Sequence, residues 1–409
     1  MMKRVPSRRV VWRARALCYQ LPLAIALGAL AASYPLKSGH IQSGALEWRA
    51  MTSPIVKLAN RSSYAMLTAI SCPTSQFCVA VGTVYQATAS GRGYPLLETF
   101  DGRSWALQHV RASGAEPAHT SVDLEGVSCP SVRFCMVVGT ADYGAGAPVV
   151  YVFSGRRWAS VNSPARSGYY RAVSCPAVQR CIVVGSQGGP LGAPDSYVYL
   201  AGRWRRTVYR SEPSGIIDQT GIACLSTSWC EVVGDVGSGG PGMVPLAGHF
   251  DGSSWALAEV RQIGVNYEAA RFADVSCSNS RICLGVGFTL SGSPGRLPRD
   301  PVAEALENGR WRSVLSSTPV HMRDTVLEAV SCRCGRCVVA GTRGQEALLV
   351  TYATGRWSPT LLGPTMRSGA VSPAGVLSMS CPAQSLCIAV GSAGDEPVTM
   401  EGSVSGMVP

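Results

Sequence analysis

Lysine is almost missing from this 409-residue chain: it stands only at Lys3, Lys37 and Lys57, so arginine supplies nearly all the positive charge. Histidine is scarce too. His40, His109, His119, His249 and His321 are all there are, and none adjoins a cysteine pair. That argues against zinc knuckles, which favour short C-x-x-C spacings with histidines nearby. There is no G-x-S-x-G elbow, no P-loop and no H-E-x-x-H, so the familiar motifs of serine hydrolases, nucleotide binders and zincins are missing. Glycine clusters such as Gly234-Asp235-Val236-Gly237 follow strand-like runs without a helix, which excludes a helix-capped phosphate cradle. The composition implies no cofactor. Asp235, Asp300 and Asp395 are loop aspartates by this reading, open to calcium but more simply turn starters.

Acidic groups are missing from the first fifteen residues, which carry Lys3, Arg4, Arg8, Arg9, Arg13 and Arg15. The chain's net charge is +11, but beyond residue 31 it holds 30 basic against 25 acidic groups. So mild an excess gives no reason to expect nucleic acid. Residues 16–32 are nearly continuous apolar sequence behind that basic start, the layout of an export signal with Ala29-Leu30-Ala31 as a cleavage site. Ser7-Arg8-Arg9-Val10-Val11-Trp12-Arg13 loosely resembles a twin-arginine signal. An uncleaved signal anchor is the alternative, because the apolar run nearly reaches bilayer span. Cys18 precedes most of that run, unlike a lipoprotein anchor cysteine. No later stretch is long and apolar enough to cross a membrane. The expected organisation is 1–32 signal peptide or signal anchor, 33–43 linker and 44–409 a single domain.

What the chain has in abundance is paired cysteine. Seven copies of one unit centre on Cys72/Cys78, Cys129/Cys135, Cys175/Cys181, Cys224/Cys230, Cys277/Cys283, Cys332/Cys337 and Cys381/Cys387. Each second cysteine opens a short apolar run that ends in glycine, as in Ile182-Val183-Val184-Gly185. First cysteines recur every 46 to 57 residues, a period of solenoids or propellers. Between the pairs sits a turn glycine followed by tryptophan, as in Asp101-Gly102-Arg103-Ser104-Trp105, Gly202-Arg203-Trp204 and Asp251-Gly252-Ser253-Ser254-Trp255. Such turns read as hairpins entering a new strand. Four short strands per repeat with no helical period define a β-propeller blade. The expected fold is all-β, a seven-bladed β-propeller of four-stranded blades.

Six turn-plus-tryptophan signatures follow the first six cysteine pairs, and none follows the seventh. The missing strand lies at the other end, in Gly44-Ala45-Leu46-Glu47-Trp48-Arg49. A strand from Trp48 to about Lys57 is therefore expected to complete the last blade, which removes the free sheet edges at the seam. A propeller also resolves the size problem. The domain exceeds what one core supports, whereas each blade adds its own.

Five residues between two cysteines suit a tight hairpin, whose opposed Cα atoms lie within disulfide range. Disulfides are expected in all seven pairs; reduced pairs or metal ligands are the alternatives. In the sixth copy, Cys332-Arg333-Cys334-Gly335-Arg336-Cys337, the expectation is Cys332–Cys337 with Cys334 odd or shuffled. A metal or redox role for that trio stays open. Paired cysteines and an export signal both belong to oxidising compartments, so the chain is expected to be secreted or held at the cell surface.

Asp101-Gly102-Arg103-Ser104-Trp105 and Asp251-Gly252-Ser253-Ser254-Trp255 resemble the Asp-box turns of sialidase-like and photosystem-assembly-factor-like propellers. The Ser-Cys-Pro and Cys-x-x-Val-Gly pairing resembles secreted repeat proteins of actinobacteria, and the arginine, alanine and glycine usage agrees with a GC-rich source. The resemblance covers residues 44–409. It implies the fold and says little of activity, since such turns lie on blade edges.

Two functions follow as expectations. The first is a monomeric, non-enzymatic binding or scaffold module with a protein or glycan partner outside the cytoplasm. Arg166, Arg171, Arg271, Arg323 and Arg367 recur before successive first strands, with Tyr169, Tyr170 and Tyr267 interleaved. Guanidinium forks there could hold carboxylate or sulfate groups of a glycan. The candidate binding residues are Arg171, Arg271, Arg323, Tyr170 and Glu125. The second is a sialidase-like glycoside hydrolase on the same fold, with Glu125, Asp274, Glu328 and Asp324 as candidate carboxyls and Tyr170 as nucleophile. The Arg-Ile-Pro motif of that family is absent.

Overall fold

The sequence folds, in a computed structural model, into seven sheets of mainly antiparallel strands. The structure describes residues 46–51, 53–54, 63–86, 92–110, 121–142, 146–188, 192–237, 242–261, 268–280, 282–290, 299–315, 324–344, 346–358, 361–362, 374–393 and 396–404. The chain divides into the units Met1–Ser43 and Gly44–Pro409. The export segment, Cys18, Lys57, Tyr267, Arg323, Arg367 and Asp395 lie outside the described residues.

Each sheet is one blade. In blade one the inner strand Ser63–Thr74 pairs with Phe77–Gln86, then Gly93–Phe100, then Trp105–Leu107. The later inner strands are Val122–Ser131, Tyr169–Ala177, Ile217–Ser226, Ala269–Asn279, Thr325–Arg333 and Ala374–Ala383. The seventh blade has its three strands from the C-terminal end of the chain, and its fourth is Leu46–Met51, with Trp48 opposite Gly402. The seam is therefore closed by the N-terminal strand. Two additions were not expected, the first being Leu361–Leu362, which pairs with Glu346–Ala353 in blade six. Val208–Ser211, arriving from blade three, runs parallel to Ser254–Glu259 and gives blade four a fifth strand.

Seven apolar clusters hold the ring, each spanning two successive blades. The second strand supplies both sides of a blade by the two-residue pleat. Val79 and Val81 pack toward blade two, while Cys78 and Ala80 pack toward blade seven, where Ile388 and Val390 complete the circle. The turn tryptophans also reach backward: Trp204, Trp255 and Trp357 donate their indole N–H to Asn162 O, Ser196 Oγ and Val314 O of the preceding blades. At Asp101 and Asp251 the carboxylate accepts the amides two and three residues on, which fixes the turn before each tryptophan.

All seven expected disulfides are present: Cys72–Cys78, Cys129–Cys135, Cys175–Cys181, Cys224–Cys230, Cys277–Cys283, Cys332–Cys337 and Cys381–Cys387. Their Cα–Cα distances run from 3.9 to 4.1 Å, as opposed positions of neighbouring strands require. The second cysteines Cys78, Cys135, Cys181, Cys230, Cys283, Cys337 and Cys387 are all buried in the blades. Cys334 is disulfide-bonded as well, so the expectation of an odd thiol in the sixth copy is corrected.

The serine before each first cysteine has a role of its own. An inner strand is an edge strand, and its cysteine amide points away from its own sheet. Ser380, Ser71, Ser128, Ser174, Ser276 and Ser331 accept the amides of Cys72, Cys129, Cys175, Cys224, Cys332 and Cys381 in the following blade at 2.9 to 3.0 Å. The hydroxyls thus satisfy edge donors that would otherwise be open. Blade four has Ala223 at this place, so Cys277 receives no such hydroxyl.

Candidate functional site

Every inner strand is interrupted by a β-bulge at the residue four before its first cysteine. A bulge turns one side chain out of the pleat. The glycine that closes each apolar run makes room for it. Gly82 pairs with Leu67 just before the bulge, and a Cβ there would overlap the carbonyl oxygen of Met66; Gly139, Gly185, Gly234, Gly287, Gly341 and Gly391 repeat the arrangement.

The seven bulged residues are Thr68, Glu125, Arg171, Thr220, Ala273, Glu328 and Leu377. All but Ala273 carry more than a methyl group, and all seven line one open cavity of about 630 Å³ on the axis. Phe288, Asp274 and Met379 also border it. Its size falls in the range of ligand pockets. The disulfides brace this wall from behind. Among the described residues Cys224 and Cys277 are the cysteines that reach the cavity, whereas Cys135, Cys181, Cys230 and Cys387 pack into the seams.

Blades two to five form an arc of alternating charge. The Arg171 guanidinium reaches Glu125 at 3.4 Å and Asp218 at 3.2 Å, and it lies 5.8 Å from the ring centre of Tyr169. Arg271 reaches Asp218 at 3.8 Å and Asp235 at 3.5 Å. Tyr169 donates to Asp218 and Tyr85 donates to Asp123. Burial pushes Glu125 above the usual carboxylate range, with Arg171 opposing it. Burial raises Asp235 to about 6, against the pull of Arg271. Burial also raises Glu328 to about 7, with Arg271 and Arg299 opposing. Asp274 rises to about 6 for the same reason, although it accepts the amides of Val275 and Val330.

Blades six, seven and one offer a different wall of Val330, Leu377, Met379, Thr68 and Ile70. Thr68 and Thr220 spend their hydroxyls on the carbonyls of Leu124 and Phe272 in the next blade.

The structure brings together Glu125, Arg171 and Arg271 of the expected binding residues. Tyr170 is not with them. It is buried between blades two and three, where Ser163 Oγ donates to its hydroxyl, because the pleat turns it opposite to Tyr169. Arg166 is exposed. Of the carboxyls considered for hydrolysis, Glu125, Asp274 and Glu328 border the cavity, whereas Asp324 is an exposed residue of positive φ outside it. Asp235 is no loop aspartate: it sits within the strand Trp229–Val236 facing Arg271. The sequence reading missed Asp218, Thr68, Thr220, Leu377, Phe288 and Arg299. A shared offset of four residues from each first cysteine was the signal for the bulged ones.

No protein-family profile matches the chain, and no curated protein matches it. Solved structures do. YCF48 bound to D1 peptide superposes with a TM-score of 0.51 at 12% identity, over 88% of this chain and 97% of that one. By fold, then, the chain is a β-propeller. YCF48 from Cyanidioschyzon merolae gives 0.54 at 13% identity, over 88% of this chain and 100% of that one. Identities this low speak for the fold alone.

Proposed function

We propose that this protein is a non-enzymatic binding or scaffold propeller that works outside the cytoplasm and takes a protein segment in its axial cavity. The observation that carries the reading is the set of seven bulges, which deliver a side chain from every blade to one cavity wall. A blade needs no such departure from regular pairing to pack on its neighbours.

Binding uses these groups better than turnover does. Glu125 is bonded to Arg171, Asp274 accepts two main-chain amides, and the tyrosine considered as nucleophile is buried in a seam. An anionic glycan fits less well than a protein, because Arg171 and Arg271 already hold carboxylates. YCF48, a propeller of similar fold, binds the D1 peptide, and that supports a peptide or protein ligand here. Seven disulfides suit an oxidising compartment, and residues 1–32 are the proposed export signal or anchor. The turns at Asp101 and Asp251 are read as Asp-box-like features of blade edges, away from the site.

The test is a photo-crosslinking amino acid at Leu377, on the cavity wall, compared with one at Val208, which is 62% exposed on the outer strand of blade four. In the exported protein, a discrete partner crosslinked from position 377 and not from 208 supports the reading. Crosslinking from 208 alone, or from neither, refutes it.

A further inference from the structure

Of the seven bulged residues, six are neutral or already answered. Thr68 and Thr220 bond main-chain carbonyls, Glu125 and Arg171 bond each other, and Ala273 and Leu377 are apolar. Glu328 is the exception. Among the described residues its carboxylate makes no hydrogen bond and no ion pair, although it borders the cavity. The cations that face it are Arg271 and Arg299. Arg271 is held by Asp218 and Asp235, and the Arg299 guanidinium lies 5.3 Å from the ring centre of Phe288. The charged cavity-lining side chains are Glu125, Asp274 and Glu328 against Arg171 and Arg271, an acidic excess. Beside Glu328 in the ring stands Leu377, with Met379 behind it.

We infer that Glu328 anchors a cationic side chain, lysine or arginine, that a protein partner presents in the axial cavity. Its charge rests on the carboxylate and its methylene stem lies along Leu377, the usual posture of these side chains on an apolar surface. This rests on the binding reading above. An arriving anion meets arginines whose charge is already balanced, whereas a cation meets a carboxylate without a partner in a partly desolvated wall. Pairing such a group gives specificity for sign. Burial keeps Glu328 largely protonated below about pH 7, so the cation should bind the ionised form and lose affinity as pH falls. The other titrating groups near it are Asp235 and Asp274, raised to about 6, and Glu125, also raised; they weaken the site further in acid.

The experiment is isothermal titration of the full chain with hexalysine, hexaserine and hexaglutamate, for the native sequence and for Glu328→Gln, a variant of the same shape whose folding is checked by its melting curve. Hexalysine should bind and the other two should not. Glu328→Gln should weaken hexalysine at least tenfold, and it should flatten the loss of affinity between pH 8 and pH 6. Equal affinity in the two proteins marks binding to the outer surface and overturns the inference, as does tighter binding of hexaglutamate. A partner crosslinked from position 377 and indifferent to Glu328→Gln overturns this inference and leaves the binding reading standing. No crosslink from 377 removes both.

Discussion

The seam between blades seven and one and the seam between blades four and five solve the same packing problem with unequal means. The first adjoins blade seven, the sheet in which the N-terminal strand Leu46–Met51 joins the C-terminal strands, and it is heavily tied. Ser378 and Ser380 accept the amides of Ile70 and Cys72, and Ser53, just past the blade-seven strand Leu46–Met51, donates to the buried Glu98. The second has fewer hydroxyl ties. It lacks the serine at position 223, its apolar cluster is the smallest of the seven, and a cavity of about 290 Å³ opens between Ala258, Val260 and Trp311. Thr220 supplies one hydroxyl bond, to Phe272 O. The seam is also tied by the ion pairs of Arg271 with Asp218 and Asp235, and by the main-chain bonds from Gly242 N–H to Glu268 O and from Ala270 N–H to Met243 O. Glu304 occupies the place that Glu98 has in blade one and faces this seam with Val302, yet neither of its carboxylate oxygens has a partner. Covalent continuity does not distinguish them, because the chain runs from blade seven into blade one through Leu46–Met51 and Ser63–Thr74 as it runs from blade four into blade five; the difference lies in the side chains at each seam.

The largest expected effect comes from the two buried glutamates. Glu98→Met removes the acceptor of Ser53 and should destabilise the fold by about 1–3 kcal/mol. Glu304→Met removes an unpartnered carboxyl and should stabilise it at pH 8, by on the order of 2 kcal/mol. The pH dependence has a definite sign. Burial lifts Glu304 from an ordinary 4.5 to about 8, so the native state holds the extra proton between those values. Its share of stability is complete below about 4.5 and drains away as pH rises to about 8. Thermal melts across that window should slope downward in the native sequence and lose part of the slope in Glu304→Met. Equal signs for the two substitutions would erase the distinction between the seams.

A smaller effect is expected from the serines. Ser380→Ala should cost about 1 kcal/mol, since it leaves the Cys72 amide without its acceptor. Ala223→Ser should add a fraction of that by giving Cys277 the hydroxyl it lacks. Denaturant midpoints of the two variants read both shifts. The smallest effect concerns Asp274, which stands where Ser378 stands in blade seven and likewise accepts an amide of the next blade, that of Val330. Asp274→Ser should be tolerated within about 1 kcal/mol in the same measurement.

Much of the ring was legible because cysteine spacing and turn tryptophans repeat with the blade. Pairs such as Cys129–Cys135 and Cys381–Cys387 mark the inner hairpin of each blade, and counting the tryptophans between them locates the closing strand at Trp48. The site was legible only in part. Arg171, Arg271 and Glu125 stood out by charge, but the bulge that aims the residue four before each first cysteine leaves no mark in composition. Thr68 and Leu377 look like ordinary strand residues. Tyr170 was misplaced because one residue of pleat separates it from Tyr169, and adjacency to Arg171 does not say which of the two faces the axis. Three residues before the first cysteine six blades carry a small residue, Ala69, Gly126, Ala172, Gly221, Ala329 or Ser378, and Asp274 stands in the seventh for a reason that lies in the neighbouring blade, the amide of Val330. The serine before each first cysteine was visible as a signature, and its partner was not, because that partner is an amide about fifty residues further on.

Native-state hydrogen exchange of the full chain, read at the seven first cysteines, tests most directly whether serine hydroxyls latch the inner strands that carry the axial site. The amides of Cys72, Cys129, Cys175, Cys224, Cys332 and Cys381 should exchange slowly, and that of Cys277, facing Ala223, should exchange fastest. Uniform protection at all seven, or faster exchange at Cys72 than at Cys277, would contradict it.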